Sequence, residues 1–150
     1  MTLTVPRGEL SGFSICPYAK QALSNNSYDI LTGTVSSIHD ILKNVDTEKY
    51  QVTIVIVSDY ETYDIDIMRE YTQKLNAYYK HNDLVILDND PRDPFVINGV
   101  TTTFNDWYLW VIQSLSDLNE KHQNLSKTSY YKVWTQQQLD EVVNWRKTNK

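Results

Sequence analysis

Apolar residues recur along this 150-residue chain in two rhythms. Between Gln51 and Ser58 the run Val52, Ile54, Val55, Ile56 and Val57 is β-branched and nearly continuous. That is the pattern of a strand covered on both faces, as in a parallel sheet. Residues 28–34 and 84–87 predict two further strands. From about Tyr63 to His81 the rhythm changes. Ile65, Met68, Thr72, Leu75 and Tyr79 return every three or four residues, the stripe of a helix face. Ile38, Ile41, Leu42 and Val45 show the same spacing after Ser37 and Asp40, a pair that resembles a helix start. Phe104, Trp107, Tyr108, Val111, Leu115 and Leu118 repeat it after Thr103 and Asp106, so a helix is predicted from there to about His122. Thr135 with Gln138 reads as a capping box for a last helix carrying Leu139, Val142 and Val143. It would end near Arg146 and Lys147, cations that suit a helix C-terminus.

Turn chemistry divides these runs. Asp88-Asn89-Asp90-Pro91-Arg92-Asp93-Pro94 is a loop, because two prolines and four polar turn formers oppose a helix. Phe95-Val96-Ile97 and Val100-Thr101-Thr102 flank Asn98-Gly99, a strong hairpin signal. Pro17 suits the first turn of a short helix over residues 17–24, ended by Ser24, Asn25 and Asn26. Leu10 to Ile15 reads as a short strand or a loop, and residues 123–133 as a loop. Alternating strands and helices imply one α/β domain over residues 1–150. Its sheet is expected to be mixed but mostly parallel, flanked by helices, thioredoxin-like or a variant of that fold. Residues 1–9 would form an extended arm and residues 123–150 a C-terminal helical extension.

Net charge of −5 and a pI near 5.1 exclude a general nucleic-acid binder, which needs a basic face. No run approaches the ~20 apolar residues of a membrane span, and the first 20 residues lack a secretion signal. The expectation is a cytoplasmic protein without a membrane or nucleic-acid partner. The four glycines, at 8, 12, 33 and 99, are too scattered for a dinucleotide fingerprint or a phosphate loop. No Gly-x-Ser-x-Gly elbow is present.

One cysteine, Cys16, leaves no intramolecular disulfide framework. Placed just before a helix and followed by Pro17, its thiolate would be stabilised by first-turn amides and the helix dipole. Cys16 also reads as a small buried hydrophobe or a metal ligand. Cys16-Pro17-Tyr18-Ala19 resembles the glutaredoxin motif Cys-Pro-Tyr-Cys, with Ala19 replacing the second cysteine. Pro94-Phe95-Val96-Ile97-Asn98-Gly99 is similar to the glutaredoxin segment that follows its cis-proline. The resemblance implies Cys16 as nucleophile, flanked by Pro17 and Tyr18, with Pro94 facing it. Without a resolving cysteine it implies a monothiol scheme in which glutathione or a partner thiol takes part; no other cofactor is expected. Cys16-Pro17-Tyr18-Ala19-Lys20 is also similar to the Cys-Pro-Phe-Ala-Lys opening of a bacterial family of small α/β proteins.

Other residues carry weaker chemistry. Asp59 and Asp88 fall at the carboxyl ends of two predicted strands, where open α/β sheets bind ligands and paired carboxylates hold Mg²⁺. They read equally as solvated acids near helix starts. His39, His81 and His122 share no ligand spacing. Trp107, Tyr108 and Trp110 would occupy three sides of one helix, and Tyr130, Tyr131 and Trp134 follow. Exposed aromatics are enriched at interfaces. The alternative to thiol chemistry is therefore a non-catalytic interaction domain that self-associates or binds a protein partner through this aromatic C-terminal region.

Overall fold

The computed structural model describes residues 7–10 and 19–146. A short helix α1 (Ala19–Ser24) precedes strand β1 (Tyr28–Gly33). Helix α2 (Ile38–Lys43), strand β2 (Val52–Val57), helix α3 (Ile65–Tyr79) and strand β3 (Leu84–Asn89) follow. A hairpin of β4 (Val96–Ile97) and β5 (Val100–Thr101) comes next, then strand β6 (Leu109–Ser114) and helices α4 (Leu115–Ser126) and α5 (Gln136–Val142). The main sheet has the order β1-β2-β6-β3. β1 pairs parallel with β2, and β6 runs antiparallel to both β2 and β3. The first three strands therefore share one direction, and β6 runs against them.

The two crossovers, β1 to β2 through α2 and β2 to β3 through α3, step across the sheet in the same sense. Right-handed connections then put both helices on one face. There Ile38 and Leu42 of α2 and Met68, Leu75 and Tyr79 of α3 pack with Val55, Val57, Ile86, Trp110 and Ile112. Gly33 lets α2 approach closely. A Cβ there would stand 2.9 Å from Ile41 Cδ1 and 3.0 Å from Ser37 Oγ.

The helix expected from about 104 to 122 is not formed. Residues 109–114 are instead the strand β6, and the helix starts at Leu115 with Ser114 Oγ accepting from the Asp117 amide at 3.2 Å. The periodicity was ambiguous, because Trp110 and Ile112 point to one face while Leu109 and Val111 point to the other. Inserted between β2 and β3, this segment satisfies two rows of backbone groups at once. That gain outweighs a helical stripe. The insertion also overturns the mostly parallel expectation, since only β1–β2 is a parallel pair in the main sheet.

Smaller differences are local. Gly8–Leu10, expected within and beside an extended arm, is a 3-10 turn whose Leu10 is buried. Helical structure before α2 begins with a 3-10 turn at Val35–Ser37, where the Thr34 amide donates to Ser37 Oγ at 2.9 Å. Ser37 thus serves inside the first turn. In the region expected as a loop, α4 continues to Ser126 and Tyr130–Val133 is a 3-10 turn. The strand or loop expected over 11–15 lies outside the described residues.

A second, smaller core forms away from the main cluster. Leu10, Ile97 and Val100 are buried with Phe95, Val133 and Trp134 packed on them. The hairpin turn uses Asn98 (φ 47°) and Gly99 (φ 80°), the left-handed pair a two-residue loop requires. The β4–β5 ribbon does not join the main sheet. Polar side chains tie it down instead: Asn98 Nδ2 donates to Glu9 O at 2.8 Å and Gln138 Nε2 to Val96 O at 2.6 Å. The expected box at Thr135 and Gln138 is present, with reciprocal bonds of 3.2 and 2.9 Å. Among the described residues no helix is long and apolar enough to cross a membrane.

Candidate functional site

Cys16, Pro17 and Tyr18 lie outside the described residues. Helix α1 occupies Ala19–Ser24, the first described residues after them. Pro94 is exposed, in the turn between β3 and β4, and its preceding peptide bond is trans. The next residue's amide, Phe95 N, donates to Thr103 Oγ1 at 2.8 Å. Thr103 therefore anchors the hairpin and caps no helix.

The carboxyl ends of β1, β2 and β3 meet at one edge of the sheet, where an open α/β sheet offers a ligand crevice. Here protein groups occupy that edge. Asp59 Oδ1 accepts from the Val35 amide at 2.9 Å, joining the turn after β2 to the start of the α2 region. Arg92 donates through Nε and Nη2 to the two oxygens of Asp90, both at 2.9 Å, and through Nη1 to Tyr63 O at 2.7 Å. Its guanidinium carbon lies 5.0 Å from the centre of the Tyr60 ring, which stacks on buried Tyr108 at 5.7 Å. This fork is a charge-assisted pair in good geometry, and the hydrogen bonds it donates to Asp90 raise the Arg92 pKa against the opposing effect of burial.

Asp88 lies on the same sheet face as Trp110, its register partner. Asp88 is exposed to solvent at the strand end, yet the surrounding protein desolvates its carboxyl enough to raise its pKa, and Asp90 and Asp93 push the same way. The strand's own amide and Arg69 oppose them. Arg69 is itself held by Asp66 and Asp93. Asp59 and Asp88 are thus engaged separately, and among the described residues no three His, Cys, Asp or Glu side chains gather to hold a metal ion. The histidines are also dispersed. His39 Nδ1 lies 2.7 Å from Tyr79 Oη, His81 is exposed, and buried His122 packs against Tyr131 with ring centres 5.0 Å apart.

The aromatic surface expected at the C-terminal third is largely interior. Tyr108 and Trp110 are fully buried, with Trp110 Nε1 donating to Thr72 Oγ1 at 3.1 Å. Tyr130, Tyr131 and Trp134 pack on one another edge-to-face or tilted, and Trp134 reaches Phe95 in the second core. Of the six aromatics singled out, Trp107 alone is largely exposed, at 54%. Trp110 is covered because β6 is a central strand of the sheet, and Trp134 because it packs on the second core.

The two edges of the main sheet differ. At the β3 edge, Asn76 of α3 donates to Ile86 O at 2.9 Å and accepts from Ile86 N at 2.8 Å. A side-chain amide there takes the place of a neighbouring strand. At the other edge, Ser27 O accepts from Gln51 N and Gly33 O from Ser58 N, at 2.8 and 2.9 Å. Backbone direction alternates along a strand. Tyr28, Ile30 and Thr32 therefore aim their N–H and C=O groups away from β2, and no described residue pairs with them. Ile30 is 54% exposed, and β1 carries neither lysine nor proline, the usual protections of an edge.

Beside this open edge lies a cleft of about 350 Å³ between β1, α2 and the loop before β2. Leu31, Val45 and Tyr50 form apolar walls, and Asp29, Asp40 and Asp46 line it as well. A second cleft of about 530 Å³, near Gln21, Gln51 and Ser114, includes Asp83. That carboxylate accepts from Ser114 Oγ, Ser116 Oγ and Ser116 N at 2.8, 2.7 and 2.8 Å.

Neither the β1 edge nor Asn76 was found by sequence reasoning. An asparagine in the middle of a helix, where it is a poor helix former, was the available signal for Asn76. No family model matches this chain, and neither does any curated protein or solved structure.

Proposed function

We propose that this protein is a binding module that accepts an extended segment of a protein partner as an added strand along the outer edge of β1. One observation carries the reading: at the β3 edge Asn76 pairs with both backbone groups of Ile86, whereas at the β1 edge no described residue pairs with Tyr28, Ile30 or Thr32, and Ile30 is exposed. Strand addition uses these features, with main-chain hydrogen bonds giving affinity and alternate side chains giving specificity. The interaction surface thus moves from the aromatic C-terminal region to the opposite part of the chain. Hydrogen exchange tests it. Addition of a bound partner segment slows exchange at Ile30 and Thr32 amides; unchanged exchange at both in the presence of every candidate segment counts against the site.

A second reading is a monothiol transfer reaction at Cys16, with glutathione or a partner thiol as co-substrate and Pro17, Tyr18 and Pro94 framing the sulfur. The observation favouring it is that Ala19–Ser24 is helical, in the segment that follows Cys16-Pro17-Tyr18 in the sequence. A thioredoxin-like variant fold and a cytoplasmic setting belong to this reading. Iodoacetamide at about pH 6.5, below the ordinary thiol pKa of about 8.5, would label native Cys16 faster than a model thiol. Labelling confined to the denatured chain would sink the thiol reading.

A further inference from the structure

We infer that the segment received at β1 is basic, with an arginine or lysine side chain entering the cleft beside that strand. The inference rests on the strand-addition reading and names the chemistry of its partner. On β1, Asp29 and Leu31 point to the face that carries α2, and both line the cleft. A strand added at this edge would lay alternate side chains on the same face, next to Leu31 and over the cleft mouth. The space there suits a long side chain with an apolar stem and a cationic tip. Leu31, Val45 and Tyr50 offer the stem a dry wall, and Asp29, Asp40 and Asp46 supply negative charge. Asp46 accepts from the Glu48 and Lys49 amides, both at 3.1 Å. Among the described residues no lysine, arginine or histidine forms an ion pair with any of the three. Lys49, which like Lys43 is three residues from Asp46, lies over the Tyr50 ring at 5.2 Å. The same charges argue against a second copy of this chain as the occupant. Antiparallel pairing of two β1 strands would bring two such acidic clefts side by side, on molecules that each carry a net charge of −5.

Labelled, N-acetylated octapeptides in which valine alternates with arginine, threonine or glutamate test the inference by fluorescence anisotropy with the full chain. The arginine peptide is expected to bind about tenfold or more tighter than the threonine peptide, with the preference shrinking in high salt. Asp29→Asn with Asp40→Asn should erase that preference, whereas the same charge change at exposed Asp106 and Glu120 should leave most of it. Ile30→Pro should weaken every peptide, because the N–H it removes faces away from β2. Ile30→Lys provides a second edge variant should the proline disturb folding, which circular dichroism would reveal. Equal binding of arginine and threonine peptides, lost on changing Ile30, overturns the basic partner and leaves strand addition standing. No binding by any peptide overturns both. A dimer in light scattering that Ile30→Lys converts to monomer also overturns the basic partner, because a second copy then fills the edge.

Discussion

The two edges of the main sheet are built from strands of equal length, yet they are finished differently. β3 lies beneath α3, and Asn76 caps Ile86 on both its amide and its carbonyl. Among the described residues β1 has no such cap, and Ile30 stands exposed beside an acidic cleft. An edge strand is a template for another chain unless something blocks it. The contrast teaches that the open edge is a local property. The fold caps Ile86 of β3 in this way, and among the described residues it caps no residue of β1.

The sharpest way to break the contrast is to open the closed side. Asn76→Ala removes both bonds to Ile86 and leaves two backbone groups to water or to nothing. A loss of about 2 kcal/mol in denaturant-unfolding stability is expected, with faster exchange at the Ile86 amide. An unchanged Ile86 amide would show that the cap contributes little. The converse experiment adds charge to the open side. Ile30→Lys should shift stability by no more than about 0.5 kcal/mol, as at other exposed positions, while abolishing strand addition. A large loss of stability would mean that Ile30 is packed.

Between these in size is the anchor of α4, which ties the start of β3 to the end of β6. Partial burial favours a raised Asp83 pKa, but the hydroxyls of Ser116 and Ser114 and the Ser116 amide outweigh it and hold the carboxyl below its ordinary value. A depressed carboxylate contributes stability that is present above the unfolded-state pKa and lost as pH falls through the folded one. Asp83→Asn should cost about 1 kcal/mol near neutrality, the usual scale for a helix-start contact. It should also flatten the acid limb of the melting curve below about pH 4. An unaltered acid limb would remove Asp83 from that role. Asp88 has the opposite sign. Its raised pKa means that ionisation weakens the fold as pH rises through it, so Asp88→Asn should give a small gain at neutral pH in thermal melts. A loss would show that its charge is needed by Arg69.

Local sequence determined the parts of this protein whose chemistry is complete within a short span. The β-branched run of β2, the stripe of α3, the Asn98-Gly99 turn and the Thr135–Gln138 box each satisfy their own backbone, or show one plain periodicity, within a few residues. Tertiary structure decided β6, where a helical stripe and a two-faced strand read alike, because only the gap between β2 and β3 offered two ladders to fill. It also decided which edge is closed, since Asn76 and Ile86 meet through packing of α3 on β3. Asp29 and Asp40 share a cleft for the same kind of reason: one lies on a strand and the other on the helix folded against it, and no spacing along the chain records that approach.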